Sequence, residues 1–333
     1  MEDLSSLEKK TLKVSRGVTY TYYVSPAKGS KQTVILFHGW PDTARLWAGI
    51  INNYLAPNGY GVIAPDCLGY GGTSKPTDIE SYAWPKQTAD VIDILDAENV
   101  SQVVSLGHDW GCCLAQRLYN FYPARVCGLV LVNVAYIVPK GDFDLESFNK
   151  ATKEAFGHGS YEYWHFFTAD DAADIMNRNP ESVYTVAFGD PETWLDNWCS
   201  PGGMRSYVSS GRTQPTLPFA TAEHKADFMS RFGSGSEGFA APSCWYKAFV
   251  SPVQKDADSA LSEDAKRVSV PVLFWGAERD FVCRHKFIQG AIDQGLLPDV
   301  TRTVRDGGHW ALLERPAEFG RDVLGWLQQR FDS

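Results

Sequence analysis

No stretch of the 333 residues is both apolar and long enough to cross a bilayer. The longest uncharged run, Val126 to Pro139, is too short for a span and reads as a buried strand. At the amino terminus, Met1-Glu2-Asp3-Leu4 lacks the basic-then-apolar order of a secretion signal, so a cytoplasmic setting is expected. The seven cysteines are odd in number and none stands in a Cys-x-x-Cys pair, which argues against a disulfide framework and against a zinc site. His-x-Glu and His-Glu-x-x-His spacings are missing as well, so no metal is expected. Positive charge is in deficit: 31 Lys and Arg stand against 40 Asp and Glu, a net charge of −9. That balance disfavours nucleic acid or an anionic membrane surface as a partner.

What is present is ordinary for a globular chain in its totals, 44% hydrophobic and 21% charged, and unusual in its aromatics, which include eleven Trp. Thr11–Val14 and Thr19–Val24 alternate as an antiparallel pair of strands would. Val34-Ile35-Leu36-Phe37 and Gly61–Asp66 are continuous apolar runs, the pattern of strands buried on both faces. A helix is expected over Thr43–Leu55, a flexible polar loop over Gly69–Ser74, and an amphipathic helix over Tyr82–Ala97. Strand Gln102–Leu106, helix Cys112–Tyr122 and strand Val126–Val134 continue the alternation. Alternation of this kind implies an α/β fold, a mostly parallel sheet with helices on both faces. It stops at about Tyr136 and resumes after about Asp256, with strands at Val270–Trp275 and Val300–Val304 and helices at Arg284–Gln294 and Arg315–Phe331. The expected organisation is therefore a core of residues 1–135 and 257–333, interrupted by a helical cap of residues 136–256.

Inside the cap, Gly233-x-Gly235-x-x-Gly238 matches the dinucleotide-binding pattern in letters only. It follows a helical segment and has no βαβ unit around it, so a loop is expected there and no cofactor.

The stretch around which the chain is organised is Gly107-His108-Asp109-Trp110-Gly111. It sits between an apolar strand and an apolar helix and matches the nucleophile elbow, with Asp in the place of Ser. An Asp that merely caps a helix is the bland alternative. Two further groups argue for the elbow. Asp280 falls in the loop after a later strand and His309, within Gly307-Gly308-His309-Trp310, after the last one. Nucleophile, acid, His is the chain order of the α/β-hydrolase triad, and ligands of open α/β sheets bind at the carboxyl ends of strands. The other position for an acid, after the strand ending at Val132, holds Asn133. His38, before a proline-containing turn, reads as a structural hydrogen-bonding residue, and His108 as loop packing. Cys112 and Cys113 read as small buried residues.

An aspartate nucleophile is already ionised at neutral pH and can attack an sp³ carbon directly, forming an alkyl ester. His309, oriented by Asp280, would then activate water to hydrolyse that ester. The N–H groups of Trp110 and Trp40 stand where an oxyanion hole needs them.

Together, His38-Gly39-Trp40-Pro41, Gly107-His108-Asp109-Trp110-Gly111, Ala277-Glu278-Arg279-Asp280-Phe281-Val282 and Gly308-His309-Trp310 resemble the soluble epoxide hydrolases of the α/β-hydrolase superfamily. The resemblance covers nearly the whole chain and is weakest in the first ten residues and the middle of the cap. It implies two cap tyrosines that hold and protonate the epoxide oxygen. The segment Gly238–Tyr246 is similar to the second tyrosine segment and assigns Tyr246. Ser160-Tyr161-Glu162-Tyr163-Trp164 is similar to the first and assigns Tyr161, with Tyr163 as its competitor in register. A cis bond before Pro41 is also implied.

The expected partners are a small hydrophobic epoxide and water, with Trp40, Trp110, Phe156 and Trp164 lining the pocket. As the tyrosines ionise, activity is expected to fall at alkaline pH. Haloalkane and haloacetate dehalogenases share the Asp elbow, but a halide leaves without a proton, and the haloalkane type is similar to a pattern with Asn after His-Gly, where this chain has Trp40. A non-catalytic binding protein of the same fold is the remaining alternative.

Overall fold

The computed structural model describes residues 3–140, 143–233, 235, 236 and 238–332. They build one eight-stranded sheet in the order β1-β2-β4-β3-β5-β6-β7-β8. Strands β1 (Glu8–Lys13) and β2 (Thr19–Ser25) form the expected antiparallel pair, and β2 runs antiparallel to β4 (Gly61–Pro65). Every other pairing is parallel, through β3 (Thr33–Phe37), β5 (Val103–His108), β6 (Val126–Val132), β7 (Val272–Ala277) and β8 (Val300–Arg305). The central strands carry Val, Ile and Leu on both faces because helices cover both sides, and β4, β5 and β7 are buried along their whole length. At the edge, β8 is only half-buried and accommodates Thr and Arg.

The chain leaves β3 for β4 on one side and returns to β5 on the other. The carboxyl ends of β3 and β5 therefore flank a crevice at the point where the strand order reverses, the place where such sheets bind ligands. Between β6 and β7 the elements are helical, from Leu145–Phe156 to Glu263–Lys266. Among the described residues only an isolated bridge, Gly189 to Thr216, interrupts them. No helix there or elsewhere among the described residues is long and apolar enough to cross a membrane.

Three local expectations differ from what is found. Residues 44–55 are not one helix but a 3₁₀ turn (Ala44–Trp47), a short α segment (Ala48–Ile50) and a π turn (Ile51–Leu55). Gly49 and the Asn52-Asn53 pair are weak helix formers, and burial of Trp47, Ile51 and Leu55 decides the path instead. The loop Gly69–Ser74 is not a free polar loop. Tyr70 and Thr73 are buried, Gly72 N–H donates to Asp66 Oδ2 at 2.9 Å, and Thr73 Oγ1 donates to the Asp66 carbonyl at 2.6 Å. Helix Arg284–Gln294 shortens to a 3₁₀ turn, His285–Phe287, and helix Ile288–Asp293. The glycine-rich segment follows helix Ala222–Phe232, with no strand leading into it; Ser234 and Glu237 lie outside the described residues.

The turn after β5 is the tightest contact between sheet and helix. A Cβ on Gly111 would stand 1.9 Å from the Phe37 carbonyl oxygen, and one on Gly107 would stand 2.2 Å from the Gly111 carbonyl oxygen. Both atoms are backbone and cannot step aside. Gly111→Ala is expected to lose on the order of 3 kcal/mol or more by overpacking. Gly49→Ala, whose methyl meets open space, is expected to be neutral or to gain up to about 1 kcal/mol. Chemical denaturation of the two variants checks the contrast.

Candidate active site

Asp109 follows β5 and precedes helix Trp110–Phe121, with φ 54° and ψ −128°. This is a left-handed conformation that costs a non-glycine residue roughly 1–3 kcal/mol and is characteristic of functional turns. Its side chain turns away from the helix and toward the loop after β3. There the Trp40 N–H donates to Asp109 Oδ1 at 2.8 Å, and Gly39 leaves the space, since a Cβ on it would stand 2.2 Å from the same oxygen. The Trp40–Pro41 bond is cis.

Asp280 and His309 arrive from the loops after β7 and β8. His309 Nδ1–H donates to Asp280 Oδ2 at 2.7 Å, and its Nε2 lies 3.6 Å from Asp109 Oδ2, too far for a direct hydrogen bond. Asp280 Oδ1 is already occupied by the N–H groups of Val282 at 3.2 Å and Cys283 at 2.8 Å. Asp280 is thereby held as an acceptor that fixes the imidazole's tautomer.

Burial governs the protonation of this group. It pushes the Asp109 carboxyl above the ordinary range, against His309 and the N–H groups of Trp110 and Trp40. Burial alone would push His309 down, but the carboxylates of Asp280, Asp109 and Asp42 outweigh it and hold the imidazole above its usual value. Burial is also the first cause that raises the phenols of Tyr161, Tyr163 and Tyr246 well above the usual tyrosine range, and the Asp109 charge adds to each. The alkaline loss of activity expected from tyrosine ionisation is therefore displaced out of the ordinary alkaline range.

Tyr246, on helix Ala240–Phe249, meets Trp110 edge-on at 4.9 Å between ring centroids and Tyr163 at 6.0 Å. Tyr161 is stacked between Trp164 at 4.6 Å and Phe148 at 4.4 Å. Tyr161, Tyr163, Trp110 and Trp164 line a cavity of about 20 Å³ at Asp109. An apolar groove of about 280 Å³, lined by Phe143, Phe249 and Phe287 among others, shares Val134, Ile137, Tyr161 and Cys283 with it. Trp40 packs on Phe167 and Trp198 at 4.9 and 5.8 Å. Phe156 does not join the cavity: it ends helix Leu145–Phe156 against Phe287 at 5.7 Å and under the Arg284 guanidinium at 5.2 Å. Sequence proximity to Tyr161 pointed to it, but the turn at Gly157 carries the two apart.

Residues 32–316 match the model of the alpha/beta hydrolase fold family. An epoxide hydrolase of Caballeronia sordidicola is 36% identical over 304 residues, covering 90% of this chain and 89% of that one. Epoxide hydrolase 3 of Siraitia grosvenorii is 36% identical over 327 residues, covering 90% and 93%. The chain belongs to the epoxide hydrolase family.

Within that family its fold is widely shared: the crystal structure of epoxide hydrolase A from Mycobacterium thermoresistibile superposes with a TM-score of 0.78 at 25% identity, covering 97% of this chain and 98% of that one. Against the bifunctional epoxide hydrolase 2 of Sus scrofa, 26% identical, the chain spans about half of the relative's length, 52%.

Two positioning residues of this epoxide hydrolase family member were not assigned from sequence. Asn133, with φ 67°, donates from Nδ2 to the His309 carbonyl at 2.7 Å. His108 Nε2–H donates to the same carbonyl at 2.9 Å, and burial pushes its pKa far below the usual histidine value, so the ring is neutral. The sequence signal was available in part, since Asn133 stands at the end of β6 where Asn tolerates a left-handed backbone. His38 is structural as expected. Its Nε2 accepts from Cys67 N–H at 2.9 Å, Nδ1–H donates to the Gly39 carbonyl at 2.9 Å, and burial pushes its pKa down to about 3.

Asn133→Gly keeps the backbone free to adopt its left-handed turn and removes only the amide, so it is expected to cost about 1 kcal/mol of stability. Asn133→Ala adds the penalty of that backbone conformation, a further 1–2 kcal/mol or so. Urea denaturation of the pair separates the two contributions.

Proposed function

We propose that the chain hydrolyses apolar epoxides to vicinal diols through a covalent ester on Asp109. The observation that carries this reading is the Asp109 carboxylate, with one oxygen held by an oxyanion-hole N–H and the other facing the imidazole, in an aromatic cavity that also receives buried phenols. The carboxylate attacks the less hindered or more electrophilic epoxide carbon, and the C–O bond breaks as a phenol gives its proton to the departing oxygen. A water then adds to the Asp109 carbonyl carbon while His309 Nε2 takes its proton. The N–H groups of Trp40 and Trp110 receive the tetrahedral oxyanion. The intermediate collapses with cleavage of the ester C–O bond: the departing diol oxygen takes the proton held on His309 Nε2, and the second water proton, left on the Asp109 carboxyl, restores the phenol, so one water is consumed per turnover. A halide would need no such donor, and two phenols beside the nucleophile therefore favour an epoxide over a haloalkane.

Charge supports the order of steps. Before alkylation His309 faces the anions of Asp280 and Asp109, which hold it above its usual pKa. Esterification removes the Asp109 charge, so the imidazole loses protons more readily at the moment a base is required. The groove of about 280 Å³ accommodates the substrate's apolar arm. We assign the acid pair to Tyr163 and Tyr246 rather than Tyr161 and Tyr246, because the Tyr163 and Tyr246 rings meet at 6.0 Å, whereas Tyr161 stacks between Phe148 and Trp164 and is not among the rings that meet Tyr246. The helical segment of residues 136–256 acts in this reading as the cap that carries the acids.

His309→Gln mixed with an aryl epoxide is expected to accumulate Asp109 ester, seen in the intact mass, and to release no diol. Wild-type protein should show the same accumulation at acid pH, as His309 of the ester form, relieved of the Asp109 charge and so below its value in the free protein, becomes protonated, because hydrolysis needs neutral imidazole and alkylation does not. Absence of the adduct in His309→Gln would overturn Asp109 as nucleophile. In single-turnover kinetics, Tyr163→Phe and Tyr246→Phe are each expected to slow ester formation by about 30- to 1000-fold, the 2–4 kcal/mol typical of losing one donor. Tyr161→Phe is expected to slow it less than about tenfold; the reverse pattern would return the acid role to Tyr161.

A further inference from the structure

Cys283 has no part in the steps above, yet it stands beside the imidazole. One ligand atom each from Cys283, Asp280 and His309 lies within 4.8 Å of the other two. All three side chains are buried, at 5%, 1% and 5% exposure. The thiol has no hydrogen-bond partner among the described residues, in contrast to Cys67, Cys112 and Cys244, whose Sγ atoms donate to the carbonyls of His38, Gly107 and Thr77. The sequence spacing 280, 283, 309 matches no metal motif, and the three meet only because the loops after β7 and β8 converge.

We propose that Cys283, His309 and Asp280 form a site for a thiophilic divalent cation, Zn²⁺ or Cd²⁺, whose occupancy switches the enzyme off by removing its base.

The donor set is the argument for the class of ion. Thiolate, imidazole and carboxylate together suit zinc and its softer congener, whereas magnesium and calcium take oxygen ligands. Zinc bonds of about 2.3 Å to sulfur and 2.0–2.2 Å to nitrogen and oxygen set tetrahedral ligand atoms roughly 3.3–3.7 Å apart. The observed limit of 4.8 Å therefore requires side-chain closure of about 1–1.5 Å at most. With Asp280 Oδ1 engaged by two N–H groups, Oδ2 is the oxygen offered, and the ion takes the place of the His309 Nδ1 proton that Oδ2 accepts, which moves to Nε2 as the tautomer changes. Access is present as well, since Cys283 lines both the cavity at Asp109 and the outward groove.

Binding replaces the thiol proton by the metal and releases it to solvent. The imidazole coordinates as the neutral base, so a second proton leaves if the ring was protonated. Affinity should therefore rise with pH. Once coordinated, His309 cannot take a proton from water. Asp109 is not a ligand and keeps its nucleophilic oxygen. On the epoxide reading above, the metal then blocks release of the ester but not its formation.

The test is a titration of the full chain, freed of metal with a chelator, with Cd²⁺. The sulfur-to-cadmium charge-transfer absorption is followed in the ultraviolet, and stoichiometry by calorimetry. One ion per chain is expected, displaced one for one by Zn²⁺. Cys283→Ser should abolish the absorption and weaken binding by at least about 100-fold, as should Cys283→Ala if the serine variant fails to fold. Cys113→Ser, at the other thiol of the same cavity, should keep both. His309→Gln should keep the absorption with weaker binding. Absorption that survives in both Cys283 variants, or vanishes in Cys113→Ser, would overturn the site. In a separate arm, metal-loaded protein given an aryl epoxide should accumulate the ester. Protein that never forms ester, with or without metal, would count against the epoxide reading and leave the metal site standing on its absorption.

Discussion

The structure depends on one close approach, the passage of the Gly111 backbone against the Phe37 carbonyl. It brings the turn after β5 within hydrogen-bond reach of the loop after β3. Because no side chain separates the two, the Asp109 carboxylate can lie against the Trp40 N–H while its own backbone is held left-handed. The strain at Asp109 is a local cost that the surrounding sheet offsets: β5 is buried along its length and paired in parallel on both sides, to β3 and to β6. Rigid strands hold the turn, and the turn aims the carboxylate. A looser junction would let Asp109 relax into an ordinary helix cap, with its oxygens on the helix N–H groups instead of the cavity.

The second layer of the design is electrostatic. His309 is surrounded by carboxylates in a buried setting, where charge interactions are strong because little water screens them. The imidazole is thereby coupled to the charge on Asp109. Its backbone is pinned at the carbonyl by two donors, Asn133 and His108, so the ring's position is set from β6 and β5 as well as from its own loop. The neutral state of His108 matters here, since a second charged imidazole at 4.7 Å would oppose protonation of His309.

Aromatic packing joins the helical insertion to the sheet. Trp110, the residue after Asp109, touches Tyr246, Trp164 and Phe249 of the insertion. One residue thus sets its backbone N–H beside the Asp109 carboxylate and its ring against the insertion. The same contacts explain why the phenols stay protonated: they are buried by rings that offer no solvation to a phenolate. Burial likewise leaves the Cys283 thiol beside the His309 imidazole without a hydrogen-bond partner among the described residues.

Much was legible in the chain itself. Short runs of Val, Ile and Leu without alternation, each followed by a helical pattern, read as strands covered on both faces, so the parallel core and its interruption followed from residue pattern. Gly107-x-Asp109-x-Gly111, Asp280 and His309 each sat at the carboxyl end of a strand, which is a statement about chain order and needs no coordinates. What the chain could not decide was anything set by contacts between segments distant in sequence. Tyr161 and Tyr163 are two residues apart and equally aromatic; only the packing of Phe148 and Trp164 against one of them leaves the other facing Tyr246. Phe156 was misplaced for the same reason, and the irregular path of residues 44–55 was decided by burial over local propensity. Likewise, the convergence of Cys283 on the imidazole has no trace in spacing. Strand positions and the residue at the tip of the sharp turn are local properties, written in periodicity and in the glycines such a turn requires. Which buried groups meet across the cavity is a property of packing, and only the folded chain decides it.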